Sequence, residues 1–274
     1  MKACVMLTCF NRKDKTVNCI KSLVGNNKAD FDFIVVDDGS MDGTTEAIIQ
    51  LKSKMKFAVE ILRGNGKLFY SGGMKLAMEA AQHTHKADIY VLINDDGEFE
   101  PGIIDEIGQE LTKENAAKKV IVGAMKNSAG DCSYGGIRYT NGIHYVTVKP
   151  DDEDRSCDTF NANFVAIPAE IFSDVPVMDG VYKHSLGDFD YGLQIKKKGY
   201  AIEVSDHFLG VCDNNSKEGT WLDTSLPRFK RWWLKGRVKG APLRQWFHFL
   251  NKNFGLHYAL VYSMSPYVRI ICGK

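Results

Sequence analysis

The stretch YVLINDDGEFEPG, residues 90–102, decides how the chain must be read. An apolar run, Tyr90-Val91-Leu92-Ile93, ends abruptly in Asn94-Asp95-Asp96. The segment ADIYVLIND (87–95) has the length and composition of a buried strand. Two adjacent carboxylates at its end each raise the other's ionisation cost, because like charges disfavour the charged form. A cation waiting beyond the strand would relieve that repulsion. The pair therefore reads as half of a site.

Working outward, the first half of the chain alternates short apolar runs with helical patterns. Strand candidates are CVMLTCF (4–10), FDFIVVDD (31–38), FAVEILRG (57–64), ADIYVLIND and KVIVGAM (119–125). Between them lie the helix candidates DKTVNCIKSLVG (14–25), MDGTTEAIIQLKSK (41–54), GGMKLAMEAAQHT (72–84) and a helix that starts near Pro101. Strands spaced by helices of this length predict βαβ units and a parallel, doubly wound sheet. In such a sheet ligands bind beyond the carboxyl ends of the strands, where both Asp37-Asp38 and Asp95-Asp96 stand.

After residue 127 the rhythm changes. SAGDCSYGGIRYTNGIHYVTV carries turn signals at Gly135-Gly136 and Asn141-Gly142, which predict hairpin structure. FNANFVAIPAEIF (160–172) reads as a strand and a short helix opened by Pro168. GDFDYGLQIKKKGY (187–200) reads as a helix stopped by Gly199, followed by the strand AIEVSD (201–206).

Composition places the chain among globular proteins: 274 residues, 44% hydrophobic and 25% charged. Seven cysteines without a CxxC pair argue against a zinc ribbon and against a secreted disulfide framework. The opening MKACVMLTCFNR reaches Asn11 and Arg12 too soon for a signal peptide and reads as a first strand, so the reducing cytosol is the expected compartment. The net charge of +1 conceals an asymmetry. Residues 228–274 hold ten Lys/Arg and no acid, which leaves 25 basic and 34 acidic residues, a net of −9, in residues 1–227. All four tryptophans lie in the last 54 residues. A boundary near residue 220 is expected, between residues 1–220 (halves 1–127 and 128–220) and a basic, aromatic helical tail, 221–274.

Three acidic clusters carry chemistry. In VVDDGSMDGTT, a carboxylate at the strand end can accept hydrogen bonds from a nucleobase or ribose, although Asp and Ser also favour helix starts. Asp95-Asp96 offers hard oxygen ligands to Mg²⁺ or Mn²⁺, with substrate phosphates completing the shell, or else is a solvated turn. In LGDFDYG, Asp188 or Asp190 can remove a proton from a hydroxyl nucleophile, or Asp188 simply caps a helix.

The motifs MLTCFNR, IVVDDGSMDGT, NGKLFYSGGMKLAM, LINDDG, FNANFVAIP and GDFDYGLQIKKKGY, in this order, resemble family 2 glycosyltransferases of the GT-A fold. Among these the chain is most similar to a bacterial surface-polysaccharide branch labelled rhamnosyl- or galactosyltransferase. The resemblance spans residues 3–210. It implies a mixed, mainly parallel sheet with flanking helices, plus the C-terminal helical extension. It further implies that Thr8, Phe10, Asn11 and Arg12 line the nucleotide pocket and that Asp37 or Asp38 recognises the base. Lys67, Gly72 and Gly73, in the Gly64–Lys75 segment, would border the donor, with Asp95 and Asn163. Asp96 would ligate the metal, joined by His207, and Asp188 would be the base of an inverting displacement. Asn94 stands where many members carry another acid, and Gly187 where many carry a glutamate.

The expected function is transfer of a sugar from a UDP- or dTDP-linked donor to a glycan or lipid-linked acceptor in cell-surface polysaccharide synthesis. The tail, with Lys/Arg interleaved among Trp, Phe and Tyr, is expected to close the acceptor site, to lie on an anionic membrane surface at the cytoplasmic face, or both. Nucleic acid is not an expected partner. A sugar-1-phosphate nucleotidyltransferase would need a glycine-rich loop after the first strand, where TCFNRKDK has no glycine. A non-catalytic sugar-nucleotide- or lipid-binding module would have no use for both Asp96 and Asp188.

Overall fold

The computed structural model describes residues 1–25, 27–55, 57–113 and 118–274. In chain order it contains β1 (Lys2–Cys9), α1 (Lys13–Val24), β2 (Asp30–Asp37), α2 (Thr44–Met55), β3 (Ala58–Arg63), α3 (Phe69–Thr84) and β4 (Ile89–Ile93). There follow β5 (Glu98–Phe99), α4 (Ile103–Thr112), β6 (Lys119–Lys126), β7 (Cys132–Tyr134), β8 (Gly136–Asn141), β9 (His144–Val148), β10 (Thr159–Phe160) and β11 (Phe164–Pro168). The last part holds α5 (Ala169–Asp174), α6 (Gly187–Lys197), β12 (Ala201–Val211), α7 (Arg228–Lys235), α8 (Leu243–Phe254), α9 (Leu256–Tyr262) and α10 (Ser265–Ile271).

The main sheet has the order β3-β2-β1-β4-β11-β6-β12-β5, with β7 paired to β6. Its first four strands are parallel, as the crossover helices require. Helices cover both faces, so strand residues alternate between two cores. Ala3, Val5 and Leu7 pack with Cys19, Ile20, Leu23 and Ile48 on one face. Cys4 and Met6 pack with Met74, Ala77 and Met78 on the other. Helix α3 comes unusually close to β1, because a Cβ on Gly73 would sit 2.4 Å from Thr8 Oγ1. That explains the glycine, and it directs Thr8 inward: its Oγ1 also donates to Val36 O at 3.2 Å.

The sheet is mixed, as the resemblance implies: β11, which follows directly on the FNANF segment, runs antiparallel to both β4 and β6 and lies between them. Two local readings are revised by the structure. Asn141-Gly142 does turn β8 into β9, but Gly135-Gly136 makes no hairpin and instead passes the chain from the main sheet to the small sheet β10-β8-β9. Strand β12 continues to Val211, so His207 lies within it, beside an irregularity between Val204 and Phe208. The apolar stretch after Phe254 divides into two seven-residue helices, and no helix among the described residues is long and apolar enough to cross a membrane.

The tail is joined to the body by charge. Asp190, 1% exposed in α6, accepts from Lys252 Nζ at 2.7 Å and from Asn253 Nδ2 at 2.8 Å. Asp179 accepts from the same Lys252 at 3.0 Å and pairs with His248 at 3.0 Å. A small apolar cluster of Tyr182, Phe249, Leu250 and Ala259 seals this junction. Acids of the body thus neutralise bases of the tail. Asp190→Ala strands Lys252 and Asn253 without their buried acceptor and should cost about 3 kcal/mol of stability. Urea unfolding measures this, and a loss below about 1 kcal/mol would show that apolar packing alone holds the tail.

Candidate active site

The carboxyl ends of β2, β1 and β4 lie side by side, which brings Asp37-Asp38, Phe10–Arg12 and Asp95-Asp96 to one edge. Asp37 and Asp38 are buried, and all four of their carboxylate oxygens accept hydrogens from the protein. Asp37 takes the Ser40 N–H at 2.7 Å and the Thr45 hydroxyl. Asp38 takes Gly66 N at 2.9 Å, Leu68 N at 2.9 Å and Phe69 N at 3.0 Å. The pair therefore fastens the loops after β2 and β3 to each other. Asn11, at φ 51°, locks the first loop from the other side through Met41 N at 2.8 Å and Ser40 Oγ at 2.9 Å. Half-exposed Phe10 stands beside Gly66. Lys67 is exposed on the same loop, and Gly72 lies in the first turn of α3.

Asp95 and Asp96 have a cation in place, and it is Arg12. Its Nη1 lies 3.0 Å from Asp95 Oδ1 and 2.9 Å from Asp96 Oδ2. Burial pushes the Asp95 carboxyl up to about 6; Arg12 opposes the rise and the neighbouring Asp96 adds to it. Thr16 Oγ1 approaches Asp95 Oδ2 at 3.4 Å, and Cys212 Sγ approaches Asp96 Oδ1 at 3.7 Å. Asn94, standing where an additional acid was expected, donates to Asn163 Oδ1 at 2.6 Å and so ties β4 to the FNANF segment.

That segment links the two catalytic candidates. Ala162, just before Asn163, donates its N–H to Asp188 Oδ2 at 3.3 Å. Asp188 occupies the first turn of α6, entered through Leu186 at φ 74°. Burial pushes its carboxyl up to about 6, with hydrogen bonds from the backbone N–H groups of Phe189 and Ala162 holding it back. The buried Tyr70 hydroxyl feels the Asp188 charge and has no hydrogen-bond partner, and neither has Asn161 Oδ1. Asp190, the other candidate base, is consumed by Lys252 and Asn253. The structure thereby separates the two acids: Asp190 fastens the tail, and Asp188 has no charged partner.

His207 is not brought to Asp96. It lies exposed in β12 with Asp206 Oδ1 at 2.7 Å from Nδ1 and Glu106 Oε1 at 3.7 Å from Nε2. These three make up the one group of three His, Cys, Asp or Glu ligands found together among the described residues. All three side chains are exposed, and exposed acidic groups of this kind are common without an ion. The side chain that β12 does deliver to the acidic pair is Cys212, just past its end. Sequence reasoning missed Cys212, Thr16, Tyr70 and His184. Cys212 could have been found from its place after a strand end. His184 carried no such signal: burial lowers its pKa, with Lys239 and Arg12 adding to the effect, and Lys239 comes from the tail.

No curated protein matches the chain. A model of the family described as Glycosyl transferase family 2 matches residues 4–142, just over half of it. The chain belongs to this family. Solved glycosyltransferase structures share its fold. The mannosyltransferase PcManGT from Pyrobaculum calidifontis, in complex with GDP-Man and Mn²⁺, is 12% identical with a TM-score of 0.59, over 99% of this chain and 73% of that one. S. aureus TarS is 15% identical with a TM-score of 0.62, over 98% of this chain and 55% of that one. TarS 1–349 in complex with UDP-GlcNAc is 14% identical with a TM-score of 0.62, over 98% and 90%. The chain is thus a glycosyltransferase whose acidic edge lies where the fold binds its ligands.

Proposed function

We propose that the enzyme transfers a sugar, with inversion, from a UDP- or dTDP-linked donor to a hydroxyl of a glycan or lipid-linked acceptor in cell-surface polysaccharide synthesis. Its motifs favour the rhamnosyl- or galactosyl-moving branch. The observation that carries the reading is Asp188, a base candidate of raised pKa bonded to the same short segment that braces the Asp95-Asp96 pair. That PcManGT was captured with GDP-Man and Mn²⁺, and TarS with UDP-GlcNAc, supports a nucleotide-sugar donor.

The acidic pair fits a divalent cation. Its oxygens are hard ligands, and they already hold a positive charge, the Arg12 guanidinium. Asp96, with Asp95 behind it, would hold Mg²⁺ or Mn²⁺, which supplies neutralisation of the departing diphosphate. Arg12, released from one carboxylate, is placed to pair with a phosphate oxygen. Phe10 offers its exposed ring to the base, while Asp37 and Asp38 hold the flanking loops at the right separation. Asp188 accepts the proton of the acceptor hydroxyl as that oxygen bonds to the anomeric carbon and the bond to the diphosphate breaks.

A second observation concerns location. Phe229 is 78% exposed and Leu260 is 64% exposed, and Trp233, Leu256, Val261, Val268 and Ile271 are also open to solvent, all within residues 228–274, which hold no acid. Such a surface supports peripheral docking on anionic lipid at the cytoplasmic face, where clustered Lys/Arg each contribute about 1 kcal/mol and aromatic rings favour the headgroup level. Trp232 packs on Tyr267 at 4.6 Å between ring centroids, which leaves Phe229 and Trp233 as the inserting residues.

Two outcomes are expected. Asp188→Asn should lower turnover about 100-fold or more while donor affinity is retained. Wild-type kcat/KM should rise with pH through about 6, where Asp188 becomes ionised, and EDTA should abolish turnover. Loss of donor binding in Asp188→Asn, with turnover per bound donor unchanged, would remove the base assignment. For docking, liposome co-sedimentation should require anionic lipid, weaken with salt and fall in Phe229→Ser/Trp233→Ser. Equal recovery from neutral and anionic vesicles at low salt would refute it.

A further inference from the structure

A largely apolar cavity of about 340 Å³ opens between the start of α3 and the tail, with Phe69, Trp221, Leu234, Arg237, Val238 and Lys239 among its lining residues. Its size is that of a small-molecule site. Arg237 and Lys239 are exposed, and neither has a salt-bridge partner among the described residues. Arg237 instead lies over the Trp233 ring, 4.0 Å from its centroid. A third cation stands behind this wall. Lys235 is 2% exposed, 5.5 Å from the ring centroid of Trp221 and 5.7 Å from that of Tyr267. Its ammonium donates to the carbonyls of Gly240 and Ala241, with no carboxylate partner among the described residues. Asp223, in the segment that carries Trp221, spends its carboxylate on Gly219 N at 2.8 Å and Ser225 N at 3.0 Å. Three cations without a compensating acid, set in low-dielectric walls, focus a positive potential on the cavity.

The cavity adjoins the chemistry through Phe69. This residue has φ 55°, an uncommon backbone for a bulky side chain that persists where its neighbours impose it. Asp38 holds its N–H at 3.0 Å, and its ring lies 6.2 Å from that of His184 between centroids. The loop that carries His184 is pinned to the start of α3, because Ser71 N donates to Lys183 O at 2.9 Å and Ser71 Oγ to His184 O at 3.1 Å. Four residues after His184 the same segment delivers Asp188.

We propose that this cavity is an acceptor subsite for a negatively charged sugar ring, a uronate or a sugar phosphate. Phe69 and Trp221 take the C–H faces of the ring, while Arg237 and Lys239 take its carboxylate or phosphate oxygens. A neutral sugar would leave the cations uncompensated, and a long lipid chain would need a groove longer than this volume supplies. The role as acceptor subsite rests on the transferase reading, whereas the binding chemistry rests on the cavity.

Ligand-observed NMR on the full chain tests it with methyl glucuronoside, methyl glucoside 6-phosphate, methyl glucoside and decyl phosphate as probes. At least one of the two anionic pyranosides should bind saturably, and methyl glucoside about tenfold or more weakly. The anionic pyranoside that binds better names the acid group the cavity prefers. Arg237→Gln/Lys239→Gln, both at exposed positions, should bring the anionic pyranosides down to the affinity of methyl glucoside and leave methyl glucoside itself unmoved. Trp221→Ala should weaken all three pyranosides, with the exposed double variant serving as the test should this one fail to fold. The subsite is overturned by no saturable binding of either anionic pyranoside, by equal binding of charged and neutral rings, or by unchanged binding in the double variant. Displacement by UDP would move the probes to the donor pocket, and binding of decyl phosphate alone would give the cavity to a lipid; either result overturns it. A thermal-shift panel of nucleotide-sugars on the unaltered chain reports separately on the transferase reading. Its failure, beside probe binding that depends on Arg237 and Lys239, would remove the donor and keep the anionic-sugar site.

Discussion

One guanidinium between two carboxylates holds the working edge of this enzyme together. Asp95 and Asp96 stand at the end of a fully buried strand, and Arg12 reaches across from the end of the neighbouring strand to touch both. Without a cation the pair would repel and Asp95, largely buried, would take up a proton more readily. With Arg12 in place, the ends of β1 and β4 are locked, and Thr16, Asn94 and Asn163 gather behind them. The same contact sets a choice. The guanidinium is 42% exposed, and in the proposed function the acids exchange it for a divalent cation when a diphosphate arrives to receive Arg12.

Around this edge the fold spends its other polar groups on alignment. Asp37 and Asp38 hold loops, Asn163 and Ala162 connect the acidic pair to Asp188, and Asp190 fastens the tail. That division explains how three clusters of similar acids serve different ends. Acids whose oxygens are filled by backbone N–H, hydroxyl or ammonium groups are structural. Asp188 differs in that its two oxygens meet only the backbone N–H groups of Ala162 and Phe189, and Asp96 in that its partners are the half-exposed Arg12 and a thiol; these two are the acids proposed for chemistry. The tail also packs against the loop that precedes Asp188, since Lys239 bears on His184 and Lys252 meets Asp179.

Much of this was legible in the sequence because it depends on periodicity and strand ends. The apolar runs placed β1 to β4 and β6, and the acidic punctuation after them marked the ligand edge. What escaped has identifiable causes. The direction of β11 is invisible to periodicity, since a buried run looks alike in either sense. That Arg12 bridges Asp95 and Asp96 was not foreseen, because nothing local shows that residues 12 and 95 end on adjacent strands. His207 looked like a metal ligand after a strand that was taken to end too early; the bulge extends that strand and leaves Cys212 at its tip. Gly73 was read as bordering the donor, and the packing that requires a glycine there, the close approach of Thr8, was not foreseen.

The central claim is that Asp95-Asp96 is a cation site which Arg12 fills in the absence of substrate. A Mn²⁺ titration followed by electron paramagnetic resonance, without nucleotide, compares wild type with Arg12→Ala and Asp96→Asn. Removing the resident cation should tighten Mn²⁺ binding about tenfold, and removing the carboxylate should abolish it. Equal or weaker Mn²⁺ binding by Arg12→Ala, or undiminished binding by Asp96→Asn, would contradict the account.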